Sequence, residues 1–193
     1  MTEVLSDRKI QCDLSPPKRY ITTHTTGGKS IFYTGIPPEV PCQPIQHDVD
    51  FYLTYTTSEF PTELGAENDI AKYRAFLQGS KPGLVNKGGS VVRICDFAPH
   101  GDAVAAPMHR TISIDYGIVT AGEIECWLDS GERQSLKVGD IVVQRETNHA
   151  WKNPSTDKWA RMVFILQEAR PLQSGSVELK EEYGYIPGVA PST

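Results

Sequence analysis

No apolar run in this 193-residue chain approaches the ~18–20 residues that would span a bilayer. The N-terminus, MTEVLSDRKIQCDLSPPKRY, lacks both an apolar h-region and a cleavage-like site. There is no excess of positive charge: 19 Lys and Arg stand against 24 Asp and Glu, a net charge of −5. That balance argues against a sequence-independent nucleic-acid binder, which needs a basic stripe. No C-x-x-C pair occurs, and Cys12, Cys42, Cys95 and Cys126 lie far apart, which predicts reduced, structural thiols. No internal repeat is visible. These absences predict a soluble cytoplasmic protein that works without membrane or nucleic acid. A chain of this length buries roughly 70% of its unfolded surface, so one domain can fold without disulfides or a metal.

What the sequence has is punctuation. Fourteen prolines and sixteen glycines cut it into short pieces, favouring strands and turns over long helices. Runs rich in Val, Ile, Tyr, Phe and Thr predict strands over 29–36, 49–57, 90–97, 110–120, 123–128, 140–145 and 160–166. One helix is predicted, over Glu67–Leu77, with Ile70, Tyr73, Ala75, Phe76 and Leu77 toward one face. From Ser90 to Leu166 the strands recur every ~10–12 residues, as in a sandwich or barrel. The division expected is an N-terminal extension over 1–88, a barrel core over 89–169 and a polar, fraying tail over 170–193.

Two stretches concentrate side chains capable of chemistry. In Pro107–Gly117, a period of two puts His109, Thr111, Ser113 and Asp115 on one face and Arg110, Ile112, Ile114 and Tyr116 on the other. A polar face opposite a mostly apolar one suits a strand lining a polar pocket. In Gly139–Asn153, a strand ends in a polar turn, after which His149, Trp151 and Asn153 alternate on one face.

These residues resemble the two motifs of the cupin superfamily of small β-barrels. For the first motif, His109 stands at the first histidine, Thr111 at the second, Asp115 at the glutamate and Gly122 at the closing glycine. For the second, Gly139-Asp140, His149 and Asn153 match, while Arg145 and Thr147 replace the Pro and Gly of the turn. The resemblance covers about residues 88–168, and the wording HRTISIDYGIV…VVQRETNHAW is similar to a fungal group of single-domain cupins. It implies an all-β cupin or jelly-roll barrel, a tailoring enzyme of polyketide-type secondary metabolism, and a homodimer paired through N-terminal strands. It also implies one divalent transition metal (Fe, Mn, Ni or Zn) on His109, Asp115 and His149, a facial triad left by the loss of a histidine to Thr111.

The residues leave a metal-free reading open beside it. His109, Asp115 and His149 in an apolar barrel can exchange protons, which suits dehydration, isomerisation, cyclisation or decarboxylation of a phenolic or polyketide-like substrate. Thr111, Ser113, Arg145 and Trp151 are the expected substrate contacts, with Arg145 offering a planar fork for an oxyanion. The alternative to an enzyme is a non-catalytic cupin that binds a small ligand. Geometry sets one condition: on a straight strand His109 and Asp115 would lie about 20 Å apart, so sharing a site requires a bend near Thr111–Ser113, where there is no Gly or Pro. The bland account of Asp115 is a salt bridge to Arg110 or Arg161. His24 and His47 are expected in solvated turns, and His100 in a loop.

Overall fold

The computed structural model describes residues 10–45, 48–79, 82–100, 107–182, 189 and 192, so the expectation for His47 lies outside the described residues. The order of elements is β1 (Ile21–His24), β2 (Ser30–Tyr33), β3 (Cys42–Ile45), β4 (Val49–Thr57), α1 (Asn68–Gln78) and β5 (Ser90–Phe97). There follow β6 (Ser113–Ala121), β7 (Glu123–Leu128), β8 (Arg133–Lys137), β9 (Ile141–Arg145), β10 (His149–Lys152), β11 (Ala160–Glu168), β12 (Gln173–Ser174) and β13 (Val177–Glu178). Among the described residues the protein is all-β apart from α1 and a single 3₁₀ turn before it, as the spacing of the runs predicts.

Two sheets carry the fold. The larger runs β3-β4-β5-β11-β6-β9 and the smaller β10-β7-β8, with every pairing antiparallel. Their inner faces meet in one core, where Val91, Cys95, Val119, Met162 and Phe164 of the large sheet pack with Ile124, Cys126 and Trp151 of the small one. This is the jelly-roll arrangement, and strand periodicity builds it. Along β11, Ala160, Met162, Phe164 and Leu166 are buried while the residues between them are half-buried. Gly122 closes the turn from β6 to β7 at φ +70°, where a Cβ would come within 2.8 Å of the Ala160 Cβ. A glycine is required there for both backbone and space.

The first 88 residues pack on this framework in three ways. The strands β3 and β4 extend the large sheet beyond β5. Helix α1, one residue later than expected at each end, buries Ile70 and Tyr73, and the Tyr73 hydroxyl donates to the Leu53 carbonyl at 2.9 Å. Further back, Ser15 O accepts from Arg161 Nη1 at 3.0 Å, fastening the chain to β11. In the segment after residue 170, Leu172 N donates to Glu146 Oε2 at 2.7 Å, and Arg110 and Glu182 exchange backbone bonds.

Candidate active site

Two neighbouring chain segments bring the histidines together. His109 and His149 form an antiparallel bridge through backbone bonds of 2.8 and 2.9 Å, and their rings lie 4.3 Å apart between centroids. Each ring is fixed by the same local device. Nδ1 of His109 meets the Pro107 carbonyl at 3.0 Å, and Nδ1 of His149 meets the Thr147 carbonyl at 2.9 Å. A carbonyl only accepts, so each Nδ1 carries the proton and each Nε2 is left with its lone pair. Burial pushes the pKa of both rings down, and His149 falls to about 3 through burial and then the neighbouring His109. Both are therefore neutral imidazoles near pH 7.

The carboxylate is positioned by the bend that the sequence demands and does not advertise. Thr111 Oγ1 donates to Asp115 Oδ2 at 3.2 Å, and Ser113 Oγ donates to Thr111 Oγ1 at 2.8 Å. On an extended strand, residues four apart stand about 13 Å from one another, so this contact requires the chain to fold back between 111 and 113. The backbone bends at Ile112 before β6 begins. Side-chain hydroxyls bonded to one another hold the turn in place of Gly or Pro. Asp115 is 4% exposed, and its Oδ1 is buried with no hydrogen-bond partner. Burial raises its pKa from 3.8 to about 6, against the opposing pull of the Ser113 and Thr111 hydroxyls. The salt-bridge account fails: Arg161 forks onto Asp96 at 2.6 and 2.7 Å, and Arg110 lies 3.8 Å from Glu182.

A cavity of about 210 Å³ opens between the sheets, lined by His109, Thr111, Asp115, His149 and Trp151 of the predicted set. Trp151 meets His149 edge-on at 5.1 Å and Phe164 at 5.3 Å, so it forms the wall against which the histidine sits. Two predicted contacts lie elsewhere. Ser113 does not line the cavity; it stands behind Thr111, bonded to it. Arg145 is exposed on the outer face of β9 with Ile141 and Val143, which are 61% and 48% exposed. The inward residue is Gln144, whose Nε2 reaches Cys126 Sγ at 3.2 Å. Asn153 of the second motif ties its turn, Nδ2 donating to the Phe97 and Lys158 carbonyls at 3.0 and 2.8 Å.

Two other lining groups escaped the sequence reading. His100 has Nε2 3.6 Å from Asp48 Oδ1, and its backbone N–H donates to the Asn153 carbonyl at 3.3 Å. Arg93 is a buried cation on β5, 6% exposed, on the face of Val91, Cys95 and Phe97. Parity alone marks it, since a single charge interrupts an otherwise apolar inward face. Two neutral imidazoles with bare Nε2 atoms can ligate a divalent transition metal, yet the expected third ligand is not brought to them. Among the described residues, no three His, Cys, Asp or Glu side chains gather as a metal-holding group. As placed, His109, Asp115 and His149 do not form such a group.

No protein-family model matches the chain. Curated relatives do. Phomopsin biosynthesis cluster protein D of Diaporthe leptostromiformis is 46% identical over 168 residues, covering 87% of each chain. Oryzines biosynthesis cluster protein J of Aspergillus oryzae is 38% identical, covering 90% of this chain and 95% of its own. A cupin-domain-containing oxidoreductase of Aspergillus ruber is 35% identical over 90% of this chain and 81% of that protein. Identity of this order, along nearly the whole length and with a jelly-roll fold and cupin-motif histidines in place, is sufficient: the chain belongs to the cupin-domain family of fungal biosynthesis-cluster proteins.

Proposed function

We propose that this protein is a small-molecule tailoring enzyme that moves protons on a phenolic or polyketide-like substrate in the cavity between its sheets. One observation carries the reading: a pair of pinned, neutral histidines and a buried carboxyl with one oxygen unpartnered line the same apolar space. Nε2 of His109 and of His149 would each accept a hydrogen bond from a substrate hydroxyl and so fix its orientation. Asp115 would take a proton from carbon or oxygen and return it, since its pKa of about 6 lets both forms be populated near neutrality. Thr111 steadies the carboxylate through Oδ2, which leaves Oδ1 for the substrate. The apolar wall of Trp151, Phe164 and Leu166 excludes water from the exchange. Dehydration, isomerisation and decarboxylation can each use this set of groups.

The test is turnover of a panel of phenolic polyketide-like compounds in D₂O, read by mass spectrometry. Deuterium incorporation or loss of water or CO₂ is expected with the wild type, falling about 10²–10⁴-fold in Asp115→Asn. Unchanged turnover in both Asp115→Asn and His149→Gln would overturn the reading. Binding without turnover would leave a ligand-binding cupin. Oxidation of the same substrate class is a second reading, favoured by the name oxidoreductase on several relatives. Turnover that consumes dioxygen, together with stoichiometric Fe, Mn, Ni or Zn lost in His149→Ala, would establish it instead.

A further inference from the structure

Among the described residues Arg93 is a buried charge without a counter-charge. Its guanidinium lies 4.7 Å from the centre of the Phe51 ring, and Nη2 donates to the Gly83 carbonyl at 2.9 Å. Nε is buried and has no partner, and no carboxylate pairs with Arg93 among the described residues. The contrast within the same strand is sharp. Asp96, three residues on and facing the other way, receives both arms of Arg161. Buried charges are ordinarily paired, because removing an ion from water is costly unless an opposite charge or full hydrogen bonding offsets it. Arginine does not escape the cost by losing its proton.

Two carboxylates line the same cavity, Asp48 and Asp115, and neither pairs with Arg93. Asp48 Oδ1 lies 3.6 Å from His100 Nε2, and Asp115 Oδ2 accepts from Thr111. A guanidinium beside Asp115 would pull its pKa down, whereas burial holds it up. His100 and His149 offer no negative charge. Among the described residues the cavity therefore holds one permanent cation without a carboxylate partner, and Phe51, Leu84, Phe164 and Leu166 line the same space.

We propose that the missing counter-charge is the ligand: Arg93 recognises a carboxylate on a small substrate whose apolar body lies against Phe51 and Leu84. This deepens the assignment of the cavity as a substrate site and rests on it. A planar fork with an unused N–H is suited to a carboxylate, and the aromatic ring and the Gly83 carbonyl hold the fork in place before the ligand arrives. Neutral phenols of the same size would leave the cation uncompensated, so the site discriminates by charge as well as by shape.

Calorimetry at about pH 8, where simple carboxylic acids are ionised, tests the assignment with two matched pairs: benzoate against benzamide and hexanoate against hexanamide. The acid of each pair should bind at least about tenfold more tightly than its amide. That ratio should collapse toward one in Arg93→Met and be only partly kept in Arg93→Lys, whose point charge cannot fork. A purely structural role for Arg93 predicts a lower Tm for Arg93→Met with the ratio unchanged. Equal binding of acid and amide to the wild type, no binding of either, or a ratio that survives both substitutions would overturn the proposal. Should Arg93→Met fail to fold, the reduced ratio in Arg93→Lys carries the test. The measurement involves no turnover, so the same pairs on Asp115→Asn separate the two proposals. An acid preference kept there while proton exchange is lost supports both, and proton exchange without any acid preference removes only the role of Arg93.

Discussion

The carboxyl of Asp115 should make the protein less stable than its own amide variant at neutral pH. Moving that group from 3.8 in the unfolded chain to about 6 in the fold corresponds to about 3 kcal/mol, at roughly 1.4 kcal/mol per tenfold change in proton affinity. The sign follows from which state holds the proton. Because the folded pKa is raised, the contribution to stability is complete below about pH 4 and is lost as pH rises through about 6. Asp115→Asn removes the titration and keeps an oxygen to accept from Thr111, while its new N–H₂ must find a partner at a cost of about 1 kcal/mol. The variant should be about 2 kcal/mol more stable than the wild type near pH 8, and the difference should reverse to a deficit of up to about 1 kcal/mol below about pH 4.

His149 works the other way. Its folded pKa, lowered from 6.5 to about 3, gives stability that is complete above about pH 6.5 and lost as pH falls toward 3. Between about pH 4 and 6 the slopes of Asp115 and His149 oppose one another, so the wild type should depend on pH less steeply there than the variant. Removing the carboxyl unmasks His149, and Asp115→Asn should lose at least about 1.4 kcal/mol per pH unit as pH falls through that window, with the lowered pKa of His109 adding to the slope of both proteins. Urea denaturation at a series of pH values measures both quantities. A variant no more stable than the wild type near pH 8, with a flat profile between about pH 4 and 6, would refute the reasoning.

Thr111→Val removes the donor to Asp115 Oδ2 and the acceptor of the Ser113 hydroxyl. It should raise the Asp115 titration midpoint further above 6 and cost about 1–3 kcal/mol; carbon-detected NMR of the carboxyl and urea denaturation read the two effects. Asp96→Asn breaks a forked pair whose carboxylate is fully buried, so a loss of about 3–5 kcal/mol is expected, visible as a large drop in Tm. The comparison is Glu59→Gln, which removes an equally short contact to Lys72 at the surface and should leave the Tm nearly unchanged.

How much of this was legible depended on whether local pattern or distant pairing made the element. Strands β4, β5 and β7 coincide with the runs read at 49–57, 90–97 and 123–128, because each carries β-branched and aromatic residues between turn signals. Strand β8 is RQSLK with only Leu136 buried; it exists because β7 offers it a register, and nothing within it announces a strand. Strand β10 is buried at all four positions, so no alternation marks it, although the inward run of His149 and Trp151 was visible. Arg145 shows the limit of parity. Its companions Ile141 and Val143 suggest an inner face, but the register with Tyr116 and Ile114 turns that face outward and sends Gln144 inside.

The site divides along the same line. The histidines could be found because a motif places them, and Asp115 because an inward carboxylate is hard to explain as filler. The reason Asp115 can do chemistry was not in the pattern. It depends on a bend held by Thr111 and Ser113 hydroxyls, where sequence rules look for Gly or Pro. Arg93 went unnoticed for the converse reason: its strand was read correctly, and a correctly read strand makes every inward residue look like core. Whether an inward charge is structural or functional is decided by what stands opposite it. Asp96 and Arg161 meet across adjacent strands and cancel, which makes them part of the fold. Asp115 keeps a buried, unpartnered oxygen and Arg93 a buried, unpartnered N–H, and both residues line the cavity. A ligand that supplies a proton-bearing group to the first and an anion to the second would satisfy both, and those two demands describe a small organic acid better than any motif does.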